Sequence, residues 1–194
     1  MLPAAIVIGL WLWFNASRRA ACLWGTVLLG VYAVVATSKI LYKGWGVGID
    51  SLDIAVISGH AMNACLICTV GLSLLARQWH PALRWPAAVV GLVASVWFSV
   101  TFIAPAVHPL PEAIAGAIAG CVAALVFLVR LERLDAESIP ISAIAIGVTV
   151  IILCAGIPKV TAESLLNHCA MAISGVSHAF ERADWPGRAQ VARY

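Results

Sequence analysis

Long apolar runs, broken by short polar junctions, constrain this chain more than any other feature. They read as Leu2–Phe14, Ala20–Leu41, Ser58–Ala76, Ala87–Val107, Glu112–Leu128, and Ile139 or Pro140 to Ile157. A helix rises 1.5 Å per residue and needs about 20 apolar residues to cross a ~30 Å hydrocarbon layer. The first run is short at about 20 Å and must stand nearly upright or borrow Asn15 and Ala16. The composition agrees: 62% of residues are hydrophobic and 11% are charged, against about 25% charged in a soluble domain. Mean hydropathy is +0.98. No soluble fold could hide that much apolar surface.

The expected fold is therefore an all-α integral membrane protein, a six-transmembrane-helix bundle over residues 1–160. A second helix-forming stretch, Thr161 to about Arg182, is too polar to span. Its apolar Leu165, Cys169, Ile173, Val176 and Phe180 suggest an amphipathic helix lying on the membrane surface, followed by a tail from Asp184 to Tyr194. Gly116 and Gly120 form a small-xxx-small pattern that lets helices approach closely. Lys39 and Lys43 close the second run four residues apart, on one helix face. Trp24 reads as an interfacial residue. The N-terminal run lacks a preceding positive stretch and reads as a retained anchor with its N-terminus outside.

Sidedness follows from arginine. Arg18 and Arg19, Arg77 and Arg84, and Arg130 and Arg133 occupy alternate turns, and the positive-inside rule puts those turns in the cytoplasm. The opposite, periplasmic face of a bacterial inner membrane then collects the loop Gly44–Ile57, the junction at His108, and Lys159. The net charge of +3 offers no basic stripe for nucleic acid. Polar groups gathered at one face, not at mid-membrane, speak against a transporter. Six cysteines (22, 65, 68, 121, 154, 169) lie mostly within apolar runs, and Cys65-x-x-Cys68 has no second ligand pair. They read as small buried side chains. No metal and no cofactor are expected.

Two junctions carry residues suited to phosphate chemistry: Ser58-Gly59-His60 opening the third run, and His108 with Glu112 between the fourth and fifth. A helix start offers unpaired N–H groups and a positive dipole end to an anion. Ser58 adds a hydroxyl, and lysine a point charge. One histidine can attack phosphorus while a second protonates the leaving oxygen. A carboxylate four residues after His108 can orient its ring. For Lys39 and Lys43 the competing reading is snorkelling at the interface. His80, His168 and His178 read as structural or solvated, and Asp50 and Asp53 as loop solvation.

These residues resemble the type 2 phosphatidic acid phosphatase superfamily, the membrane lipid phosphatases related to vanadium haloperoxidases. Its motifs are K-x6-R-P, P-S-G-H and S-R-x5-H-x3-D. Ile57-Ser58-Gly59-His60 matches the second except for its proline. Thr101-Phe102, five residues, His108, three residues and Glu112 match the third in spacing. Gly44-Trp-Gly-Val-Gly-Ile49 ahead of Ser58-Gly-His-Ala-Met62 is similar to a bacterial branch. The resemblance runs from Lys39 to the fifth run. It implies a metal-independent phosphatase with His108 as nucleophile through a phosphohistidine, Glu112 orienting it, and His60 as general acid. Ser58, Gly59 and Lys39 would bind phosphate oxygens. Gly46 and Phe102 stand where the family has arginines, which leaves Lys43 and Lys159 as candidate replacement cations. Phosphatidic acid, phosphatidylglycerol phosphate, a polyprenyl diphosphate or a lipid A phosphate would all suit as the lipid partner. The alternative function is a catalytically impaired lipid-phosphate-binding or assembly protein of the same fold.

Overall fold

The computed structural model describes residues 2–106, 108–134, 140–155 and 162–181. The described residues form the helices α1 (Leu2–Trp11), α2 (Arg18–Trp45), α3 (Gly59–Trp79), α4 (Arg84–Phe98), the short α5 (Ala104–Ala106), α6 (Leu110–Leu131), α7 (Ile141–Ala155) and α8 (Ala162–Ser174), and no strand. A wide π turn over Leu12–Ala16 extends α1, and another over Ser99–Ile103 joins α4 to α5. Among the described residues, four helical stretches are long and apolar enough to cross a membrane: Arg18–Trp45, Gly59–Trp79, Pro81–Ala106 and Leu110–Leu131. Leu2–Ala16 and Ser142–Leu153 are apolar but shorter. The chain is an all-α membrane protein.

The central helix is α3, packed between α4 and α6. Glycines make those contacts possible. A Cβ on Gly91 of α4 would lie 2.7 Å from the Cys68 carbonyl oxygen, and one on Gly116 or Gly120 of α6 would overlap the carbonyl oxygens of Ser58 and Met62. Backbones thus meet directly, as small-residue seams allow where no water drives helices together. One consequence reaches the candidate site: Gly116 presses the amino end of α3 against the first turns of α6.

The core between α1, α2, α3 and α6 is sealed by Trp24 and Phe127, which meet edge to face at 5.0 Å between ring centroids. Trp24 is therefore a core residue and not the interfacial anchor its sequence position suggested. Its indole N–H donates to the Ala5 carbonyl at 2.9 Å. That bond satisfies the one polar atom of the ring and lets it be buried. Trp11 plays the same part between α1 and α7, donating to Ala143 O at 2.8 Å, with Gly147 leaving space for the ring.

Several boundaries differ from expectation. Helix α2 runs past Leu41 to Trp45 and stops where Gly46 adopts a left-handed φ of 67°, the usual glycine stop. Arg84 to Pro86 open α4 instead of belonging to a loop, because proline is tolerated in a first helical turn. The amphipathic helix is shorter than the expected Thr161–Arg182. It ends at Ser174, and Gly175, at φ 76°, turns the chain. Leu165 and Ile173 are exposed, while Ala170 is buried against α2. The tail from Asp184 lies outside the described residues.

Candidate functional site

His108 and Glu112 straddle the start of α6. Pro109, at φ −58° and ψ 152°, precedes the helix, and Pro111 sits in its first turn. Those rings fix φ near the helical value and forgo N–H groups that would be unpaired there anyway. The helix begins soon enough for the i, i+4 spacing to work. His108 Nδ1 lies 2.9 Å from Glu112 Oε2. A carboxylate only accepts, so Nδ1 carries the proton and Nε2 is left with its lone pair.

The Glu112 carboxylate is fully buried, and its second oxygen is also used. Oε1 accepts from the backbone N–H of Ala55 at 3.1 Å and of Val56 at 3.0 Å. Its own carbonyl accepts from Ser58 N at 3.2 Å. One residue of α6 thus clamps the loop that leads into α3. The loop is shaped by a tight reversal, an Ile49–Ile54 antiparallel bridge around Asp53 at φ 51°.

His60 lies in the first turn of α3 and is exposed. Its ring centroid is 6.0 Å from that of His108, tilted by 49°. The two histidines from separate junctions therefore share one site. Ser58 is the N-cap of α3; its Oγ accepts from Ala61 N at 3.3 Å, and the residue is wholly buried. The side chain thus has a structural duty that the sequence reading did not assign. Gly59 sits beside Val35 of α2, where an added Cβ would meet Val35 Cγ1 at 3.5 Å. An ordinary contact of that length leaves the glycine without a steric reason at this position. Ser38, also missed by sequence reasoning, accepts from Ile57 N at 3.2 Å and fastens the loop to α2.

The cations are arranged differently from expectation. Lys39 Nζ lies 2.9 Å from Glu163 Oε2, and Lys43 Nζ lies 2.8 Å from Glu163 Oε1. One carboxylate from α8 bridges both lysines. Burial works to raise the Glu163 carboxyl, but hydrogen bonds and charge from Lys43 and Lys39 outweigh it and pull it down to about 2. Glu163 is 124 residues from Lys39, and no local pattern announces such a pairing. Lys159 lies outside the described residues.

The two departures from the arginine motifs have structural reasons. Gly46 holds a backbone conformation that side chains resist, and a Cβ added there would meet the Phe180 ring at 3.4 Å. Phe102 falls in the π turn after α4, whose wide turn alters which side each residue faces. Ser99 and Ile103 point into the bundle, while Phe102 is exposed and stacks on Phe98 with ring centroids 5.2 Å apart.

An apolar helical bundle with a carboxylate-held histidine facing a second histidine defines a helical membrane protein with a polar site at one end. The chain is 30% identical over 190 residues, 95% of its length, to the "Uncharacterized 22.5 kDa protein in cps region" of Klebsiella pneumoniae, of which it covers 90%. It belongs to that protein's family. No family profile and no solved structure matches it.

Proposed function

We propose that this protein is a membrane lipid phosphatase of the type 2 phosphatidic acid phosphatase kind. It would hydrolyse a lipid phosphate monoester or diphosphate at the periplasmic face of a bacterial inner membrane. The observation that carries the reading is the 2.9 Å bond between His108 Nδ1 and Glu112, with the His60 ring 6.0 Å away. Glu112 holds the proton on Nδ1, so the Nε2 lone pair attacks phosphorus. The bond from phosphorus to the leaving oxygen breaks, and His60 protonates that oxygen. Water, deprotonated by His60, then attacks the phosphohistidine, the P–N bond breaks, and inorganic phosphate leaves. Two histidines supply acid, base and nucleophile, so no step requires a metal.

Within this reading, α1 and α7 complete six spans beside the four long helices. The arginine-bearing turns face the cytoplasm. The substrates that suit the site are phosphatidic acid, phosphatidylglycerol phosphate, a polyprenyl diphosphate or a lipid A phosphate. The second reading is an impaired enzyme that binds lipid phosphate without turning it over. It is favoured by the pairing of Lys39 and Lys43 with Glu163 and by the outward Phe102. Phosphate release by the purified protein, with EDTA present and a panel of lipid phosphates and diphosphates, separates the two. Release that disappears in His108→Ala is the expected result. Binding of lipid phosphate by folded protein with no release from any substrate would establish the second reading.

A further inference from the structure

The contact between α2 and α8 bears on how the site is occupied. The occupant's chemical class, phosphate, rests on the proposed function, but its binding can be measured without turnover. We infer that Glu163 is an internal substitute for substrate phosphate. In this arrangement α8 is a cover whose carboxylate holds the Lys39–Lys43 pair until a phosphate group displaces it. The incoming group is a phosphate dianion, carried on a lipid headgroup or free in solution.

Position comes first. Val35, Lys39 and Lys43 succeed one another by single turns along α2. Val35 adjoins Gly59, and Ser38 fastens Ile57. The lysines therefore lie one and two turns beyond the α2 residue that meets the start of α3, on the same helix row. Geometry comes second. The two carboxylate oxygens of Glu163 each take one ammonium group, at 2.9 and 2.8 Å, as two phosphate oxygens would. A phosphate carries about −1.5 to −2 charges at neutral pH. Glu163 already occupies both ammonium groups, one with each carboxylate oxygen, and a second anion on the same pair would repel it. Glu163 must leave for phosphate to enter.

The seating of α8 suits displacement. At Gly44 of α2 the neighbours from α8 are the small residues Ala170 and Ser174. Leu165 and Ile173 stay exposed. Asn167 Oδ1, one turn beyond Glu163, is enclosed without a hydrogen-bond partner among the described residues. An enclosed polar atom without a partner weakens that seam. The carboxyl side of α8 is tied down. Phe180 N donates to Lys43 O at 2.9 Å, and Tyr42 OH donates to Glu181 O at 2.7 Å. The helix is thus fixed near one end and held at the other by Glu163.

The test uses the full chain in lipid nanodiscs with His108→Ala in every sample, so that no ligand is consumed. Binding of inorganic phosphate, and separately of short-chain phosphatidic acid, is compared with and without Glu163→Gln. In parallel, the alkylation rate of the native Cys169 on α8 is followed with Glu163 intact, as each ligand is added. Glu163→Gln should tighten binding of at least one ligand by about tenfold, and Lys39→Ala should cancel the gain. The same ligand should speed alkylation of Cys169. A response to inorganic phosphate identifies free phosphate as sufficient, and a response to phosphatidic acid alone identifies the lipid headgroup; either supports the cover. Unchanged or weaker binding in folded Glu163→Gln protein would overturn it. If that variant does not fold, an unaltered Cys169 rate at saturating ligand overturns it by itself. Should the cover respond while no lipid phosphate is hydrolysed by the unsubstituted protein, the enzymatic reading fails and the cover stands.

Discussion

Glu112 joins two tasks in one carboxylate: Oε2 sets the tautomer of His108, and Oε1 holds the N–H groups of Ala55 and Val56. Glu112→Gln separates the tasks. If the amide NH2 turns to His108, it donates to Nδ1, moves the ring proton to Nε2 and removes the nucleophilic lone pair. If the amide oxygen turns to His108, the NH2 faces two backbone donors. The first rotamer keeps every hydrogen bond but puts the ring proton on the wrong nitrogen, and the second keeps the tautomer but sets donors against donors. Phosphate release should fall by roughly a hundredfold or more, with a secondary loss of thermal stability. Kinetics and melting on the same preparation check both effects. Retained activity would remove Glu112 from the proposed mechanism. At this scale the sequence was informative: His60, His108 and Glu112 were legible because each sits in a short spaced motif. Glu163 was not, because ion pairs between distant segments leave no periodic trace.

At the scale of elements, the site depends on how α3 meets α6. His60 rides on α3 and His108 precedes α6, so the distance between them is set by the seam at Gly116 and Gly120. Gly116→Ala would push a methyl into the Ser58 carbonyl, which belongs to the backbone and cannot rotate away. The expected cost is about 1–3 kcal/mol of stability. Activity should fall further than unfolding explains, since the two rings would be displaced. Differential scanning fluorimetry beside phosphate release under conditions where the variant stays folded checks this. Unchanged activity in a destabilised Gly116→Ala protein would show that the seam does not set the ring spacing. The glycine pattern was legible as a close-packing face; its partner was not, because spacing along one helix says nothing about which neighbour it meets.

For the whole molecule, the outward face matters as much as the core. Exposed Val89, Val90, Val93 and Trp97 line α4, and Phe102 continues that surface against Phe98 and Trp97. The motif resemblance invites restoring arginine at 102, but an arginine there would point into lipid and not toward His108. Phe102→Arg should give no gain in phosphate release. It should also lower stability or insertion, by up to about 2.5–3.5 kcal/mol if it lay at mid-membrane and by less near a helix end. Expression level, melting temperature and phosphate release check this together. A gain in release would place the residue 102 side chain in the site and would count against the outward orientation of the π turn.

The sequence by itself determined the solvent of this protein, its helical class and the residue types at the two histidine junctions. Hydropathy and short motifs are local properties, and a membrane permits few backbone solutions. Only the tertiary structure decided which residues meet: Trp24 in the core, Ser58 as a cap, Glu112 holding a loop from another junction, and Glu163 bridging Lys39 and Lys43. Those outcomes depend on which helix packs beside which and on the turn at which each helix ends. Gly46, Gly175 and the π turn at Ser99–Ile103 alter that geometry by a single residue, too little for the composition of a run to record.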